Sequence, residues 1–165
     1  MAAMVRIDLA GVWQIRHDKL SQGLTDAWWK DISALGWREI RVPSAWQSVL
    51  GIEANGVAWY RRELPRDVLA WPRAVLRFES VATDCRVWVN SVEVGRNLGD
   101  YTPFEFDITR ALAAGDGTPR LCVRVDQMHA PRPGPGVVTE NGHVTKGFHD
   151  VLSVQHAGIW GGVTV

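Results

Sequence analysis

The sequence predicts an all-β sandwich, and three observations carry that expectation. Short segments alternate apolar or branched residues with polar ones at the two-residue period of a strand, most plainly VWVNSVEVG over 87–95. Pro43, Pro65, Pro72, Pro103 and Pro119 fall between such segments or at their edges, where a missing N–H does least harm. No long helical pattern alternates with the strands, which argues against a doubly wound or complete barrel fold.

Strands are expected in order at about residues 11–16, 38–41, 57–64, 73–79, 84–90, 92–95, 103–106, 120–126 and 158–165. Asn90-Ser91 reads as the turn between two of them. Residues 24–35, with Trp28, Ile32 and Leu35, hint at a helical turn, and ITRALAA at 108–114 at another short one. WYRRELP at 59–65 puts Arg61 on one strand face and Arg62 on the other. A structural ion pair with Glu79, Glu105 or Asp107 is the expected use of such an arginine. FEFD at 104–107 sets Glu105 and Asp107 on one face, the geometry of arginine partners rather than of a glycosidic acid pair.

At 165 residues and 18.4 kDa the chain is one domain's worth, large enough for its own core. Eighteen basic residues balance eighteen acidic ones, and fifteen of the bases are arginine. That balance leaves no net field to recruit nucleic acid or an anionic membrane. No apolar run approaches the length of a membrane helix, about 18 residues. The opening MAAMVRIDLAG lacks the pattern of a signal peptide, so a cytoplasmic setting is expected.

The two cysteines are expected to stay unpaired. Cys85 shares its parity with Val87 and Val89, whereas Cys122 opposes Leu121, Val123 and Val125. One should therefore face the core and the other should not. Residues 127–149 carry four Gly and three Pro without periodicity, and loops of that length tend to serve function. This loop is expected to be poorly ordered or held by a neighbouring copy. The closing VTV stops in mid-strand pattern, so residues 1–165 are expected to be the leading domain of a longer protein.

Nine tryptophans are a high count, and not all need serve the core. An indole offers a large apolar face at low entropic cost, the property that suits it to the C–H face of a pyranose. Trp13, Trp59 and Trp160 sit inside well-patterned strands and read as structural. Trp88 has the parity opposite to Val87 and Val89, which makes it an interface candidate, and Trp28 and Trp29 cannot both point inward. His17, His129, His143, His149 and His156 lack the tight spacing of a zinc site, so no metal is expected. No nucleotide fingerprint, nucleophile elbow or CxxC is present, and no cofactor is expected.

The stretches LAGVW at 9–13, WREIRVPSAW at 37–46, GVAWYRRELP at 56–65 and VLRFESV at 75–81 carry a resemblance. So do CRVWVNSVEVG at 85–95, GDYTPFEFDIT at 99–109, LCVRVD at 121–126 and QHAGIWGGVTV at 155–165. In this order they resemble the N-terminal sugar-binding domain of family 2 glycoside hydrolases, the β-galactosidase, β-glucuronidase and β-mannosidase group. The resemblance implies a jelly-roll-like, galactose-binding-domain-like sandwich, mostly antiparallel, with at most short helical turns. It also implies a following immunoglobulin-like domain and a catalytic barrel that supplies both glutamates. This chain is then the non-catalytic part, either binding and shaping a β-glycoside or serving as a scaffold that docks the barrel. Homo-oligomerisation stays open.

The same resemblance implies Asn55 of EANGVAWY and Asp150 as carbohydrate-binding residues, and Trp88, by its outward parity, is the aromatic candidate beside them. Two positions depart from the family pattern. Asn90-Ser91 stands where Asn-Gly is usual, and Gly161-Gly162 follows GIW where Arg or Pro is usual.

Overall fold

A computed structural model describes residues 5–30, 33–52, 54–127 and 156–165. Its largest element is a six-stranded antiparallel sheet. In spatial order the strands are β2 (Arg38–Val42), β1 (Gly11–His17), β3 (Val57–Glu63), β9 (Arg120–Asp126), β6 (Asp84–Val89) and β7 (Val92–Leu98). Opposite it lies a three-stranded sheet of β11 (Val163–Thr164), β4 (Val75–Phe78) and β8 (Phe104–Asp107). A short pair of β10 (Gly158–Ile159) and β5 (Val81–Ala82) completes the second layer. Among the described residues helix is limited to α1 (Gln47–Leu50), α2 (Thr109–Ala113) and two 3-10 turns at Trp28–Lys30 and Arg66–Ala70. This is the expected mostly antiparallel, jelly-roll-like sandwich.

The period of two decides which residues make the core. Trp13 and Ile15 of β1, Tyr60 of β3, Val123 of β9 and Val87 of β6 meet Leu76, Phe78, Ile159 and Val163 from the second layer. The opposite face of the large sheet is not left to water. Trp59 and Trp88 lie there with Val57 and Cys122, covered by Trp28 and Trp37 from the 18–37 connection. The cysteine expectation holds for direction, since Cys85 joins the main core and Cys122 the outer cluster. It fails for exposure, because the aromatic cover buries Cys122 as well. Burial pushes both thiols up to about 12, so the native protein should not react with a thiol reagent at pH 8. Titration with Ellman's reagent should release two equivalents on adding denaturant; rapid release beforehand would contradict this burial.

Several boundaries differ from the sequence reading. The expected strand 158–165 is two strands, separated at Trp160–Gly162. There the Gly161 N–H donates to the Ser80 carbonyl at 3.0 Å, and Gly162 accepts from Glu79 N at 2.9 Å. The helical hint at 24–35 narrows to the single turn Trp28–Lys30, and β7 runs on to Leu98. Arginine pairing follows the expected chemistry with different partners. Arg77 holds Glu79 and Glu105, each at 2.7 Å, and Arg73 holds Asp107 at 3.0 Å. Hydrogen bonds from Thr109, followed by Arg73, hold the Asp107 carboxyl down to about 2. Arg61 instead donates to Gln14 at 2.6 Å and lies over the Trp37 ring, while Arg62 reaches the Leu9 and Ala10 carbonyls.

The β6–β7 hairpin is a two-residue turn, with Val89 paired to Val92 and positive φ at both Asn90 (48°) and Ser91 (68°). That is the type I′ geometry, matched to strand twist and unfavourable for serine. Asn90 is retained by its side chain, which donates to the Ala111 and Leu112 carbonyls and accepts from Arg120 N. Ser91→Gly should raise stability by about 0.5–1 kcal/mol, since glycine adopts this φ without a Cβ penalty. Urea unfolding measures it; an unchanged or lower midpoint would contradict the turn's strain.

Candidate functional site

The register brings one end of four central strands together. His17 pairs with Ala58, Val57 with Asp126, and Asp126 with Asp84. The buried polar residues among those described are Asp84 at the start of β6, Gln47 at the start of α1, and Asp18, Thr83, Asp100 and Gln127 in the connections. Buried polar groups need partners, and several find them at this end, although Thr83 Oγ1 is enclosed without one among the described residues. Gln47 donates to the Ala54 carbonyl and accepts from Ala157 N. The Asp100 carbonyl accepts from Ser80 Oγ and, at 3.3 Å, from Trp160 Nε1. Asp84 is paired with Arg96 at 2.8 Å. This end of the sandwich is a hydrogen-bonded polar frame built on the rigid sheet.

Asn55 sits on that frame and is exposed. Its carbonyl accepts from His17 Nε2 at 2.9 Å, which requires that ring nitrogen to carry the proton. The next residue is fixed too, because the Gly56 carbonyl accepts from Gln127 N at 2.9 Å. The Asn55 carboxamide makes no hydrogen bond among the described residues, so backbone anchoring presents a planar donor–acceptor group outward. Asp150 lies outside the described residues.

Trp88 is a correction. Parity places it correctly on the outer face, but it is 3% exposed, stacked 5.2 Å from Trp29 and 5.3 Å from Trp59. The covering 18–37 connection closes over it, so the ring offers no open face. Trp160, read as structural, is half-buried and lies 5.7 Å from the Tyr101 ring at the polar end. Trp13 and Trp59 are buried as expected. Sequence reasoning missed Asp18, Gln47, Thr83 and Gln127. Asp18 had a local signal, an acidic residue at a strand end followed by Ser21-Gln22-Gly23, which its carboxylate holds through the Gln22 and Gly23 N–H groups. The other three are defined by loop closure across the chain.

Among the described residues no cluster of three His, Cys, Asp or Glu side chains could hold a metal ion. His129, His143 and His149 lie outside the described residues. No helix of the described structure is long and apolar enough to cross a membrane.

The fold and this end together define an antiparallel jelly-roll-like sandwich with a polar loop end. The family model described as "Glycosyl hydrolases family 2, sugar binding domain" matches residues 49–163, and the chain belongs to that family. Over 71 residues it is 41% identical to a β-galactosidase of Thermoanaerobacter pseudethanolicus, covering 42% of the chain and 10% of that protein. Over 124 residues it is 35% identical to the β-glucuronidase of Canis lupus familiaris, covering 67% of the chain and 19% of that protein. The chain therefore spans less than a quarter of either relative.

Among solved structures, a β-glucuronidase of an uncultured Clostridium sp. superposes with a TM-score of 0.64 at 29% identity, covering 73% of the chain and 22% of that chain. A Ruminococcus gnavus β-glucuronidase in complex with D-glucuronic acid gives 0.70 at 17% identity, covering 97% and 29%. At that lower identity the likeness speaks for the fold alone.

Proposed function

We propose that the chain is the carbohydrate-binding, substrate-shaping domain of a longer family 2 hydrolase acting on β-glycosides. Hydrolysis belongs to a catalytic barrel elsewhere in that protein, with an immunoglobulin-like domain between. The observation that carries this reading is the gathering of buried polar residues at the one end where Asn55 is held outward by its backbone. A recessed polar frame fixes the position of a loop group that hydrogen-bonds sugar hydroxyls. In this arrangement Asn55, with Asp150, contacts the terminal sugar, and the barrel closes over it.

The scaffold reading has support at the same end. Leu20, Leu35, Ile52, Leu98 and Tyr101 are exposed there, an apolar rim suited to a neighbouring domain. Binding and docking then share one end, with the sugar held at the junction.

NMR titration of the 165-residue chain with galactose, glucuronate and mannose separates the two. One carboxamide supplies about 1–3 kcal/mol, and millimolar affinity already needs about 4 kcal/mol. Affinity should therefore be millimolar or weaker, with shifts confined to His17, Asn55 and Gly56 and lost in Asn55→Ala. Silence at these residues with all three sugars leaves the scaffold reading. Turnover of an aryl β-glycoside, abolished by mutating one of the chain's own carboxylates, would overturn both.

A further inference from the structure

We infer that the outer face of the six-stranded sheet carries a second carbohydrate site, a groove for a neutral oligosaccharide at the end away from Asn55. The groove has a volume of about 570 Å³ and is lined by Trp28, Trp29, Glu39, Arg61, Glu63 and Arg120 among others. That volume lies within the range of small-molecule sites, about 300–1,000 Å³. Glu63 pairs in register with Arg120, six residues along β3 from the Val57–Asp126 pair that marks the Asn55 end. The two sites share no residue, so this inference stands or falls apart from the reading of Asn55.

The aromatic component is already in place. Trp29 is the half-buried member of the outer tryptophan cluster. Its plane is set by Trp88, 5.2 Å away at 10°, and by Trp59, 6.1 Å away at 20°. A ring held this way presents apolar surface to a pyranose without losing further rotamer freedom on binding.

The polar component is a row of planar groups spaced by the sheet. Gln14 stands in register with both Glu39 and Arg61, so the three cross adjacent strands on one face. Arg61 donates to Gln14 at 2.6 Å, which fixes both planes and leaves Glu39 beside them to accept from a sugar hydroxyl. Glu39 and Glu63 are exposed and, like the Arg120 guanidinium, make no side-chain ion pair or hydrogen bond among the described residues. Other strand carboxylates on this molecule are paired: Glu79 and Glu105 with Arg77, Glu93 with Arg86, Asp107 with Arg73. Carboxylates accept from hydroxyls and a guanidinium donates to them, so the set suits a polyol. Arg61, Arg62 and Arg120 offset Glu39 and Glu63 in the lining, so no strong field of either sign selects the ligand and hydroxyl hydrogen bonds do, which a neutral chain supplies.

Titration of the 165-residue chain with β-1,4-linked galactotetraose, xylotetraose and mannotetraose tests the groove, with trigalacturonate as the acidic control. At least one neutral tetraose should saturate with the Trp29 indole resonance moving most, and trigalacturonate should bind no more tightly; tighter binding of the acidic chain would overturn the assignment to a neutral one. Glu63→Gln and Arg120→Ala are surface changes that leave the melting temperature in place, and each should weaken binding about tenfold. Asn55→Ala should leave it unchanged. Silence from all three tetraoses overturns the inference, as does binding unaffected by both variants. A dimer in sedimentation that either variant dissociates also overturns it, because the groove would then be an interface between copies.

Discussion

Gly158→Ala should destabilise the fold by roughly 4 kcal/mol and lower the melting temperature by on the order of 10 °C. Two effects add. Gly158 has φ +116°, a region where a Cβ costs about 1–3 kcal/mol. That Cβ would also sit 2.4 Å from the Tyr60 hydroxyl, 3.3 Å from Trp46 N and 3.4 Å from the Ser44 carbonyl oxygen. Neither backbone contact can retreat easily. Trp46 N donates to the Ala157 carbonyl and Ser44 N to the Ile159 carbonyl, so this crossing ties the 43–47 strap to β10. The Tyr60 hydroxyl is fully enclosed, and its burial holds the phenol protonated far above its ordinary range. Urea unfolding of the single variant and of the same change in a Tyr60→Phe background separates the effects. Removing the hydroxyl should recover part of the steric loss and none of the backbone strain. A loss below about 1 kcal/mol, or complete recovery in the Phe background, would show that Gly158 is not locked by its conformation.

Much of this architecture was legible because strands report their faces locally. The alternation in β1, β3, β6 and β9 identifies each inward residue without knowledge of any partner, and the turn at Asn90-Ser91 carries its own signal. What was illegible depends on closure between distant segments. The single expected strand at 158–165 breaks because Gly161 and Gly162 bond to Ser80 and Glu79, some eighty residues earlier. Trp88 shows the same division inside one residue. Its parity was readable from its neighbours, whereas its burial is imposed by Trp29 from a connection without strand periodicity. The arginine partners divide likewise, since the chemistry of Arg–carboxylate pairing was foreseeable and the register that gives Glu105 to Arg77 was not. At the loop end, Asn55 was marked by the resemblance of GVAWYRRELP and by no periodicity of its own. Gln47 and Gln127 had no mark, because each is defined by the loop it holds.

Asp18→Ala should cost about 3–5 kcal/mol and release the aromatic cover from the outer face of the large sheet. The carboxylate is 3% exposed and accepts three hydrogen bonds: Gln22 N at 2.8 Å, Gly23 N at 2.9 Å and Trp59 Nε1 at 3.0 Å. Bonds to a charged acceptor contribute about 1.5–3 kcal/mol each, and deleting it strands the donors inside the protein. The site admits no replacement by movement, since a Cβ at Gly23 would lie 2.3 Å from the Trp59 indole nitrogen. Asp18 therefore joins the start of the 18–37 connection to the sheet it covers, and Trp28, Trp29 and Trp37 follow from that anchor. Loss of the anchor should shift tryptophan emission to the red and speed amide exchange in residues 21–30 before global unfolding, while the main core stays protected. Asp18→Asn keeps one acceptor oxygen and turns a donor toward the remaining N–H groups, so its loss should fall between wild type and alanine. A stability change below about 1 kcal/mol, or unaltered emission in Asp18→Ala, would show that packing alone holds the tryptophans. If the cover does open, any ligand of the outer groove should be lost with it, because Trp28 and Trp29 line that groove.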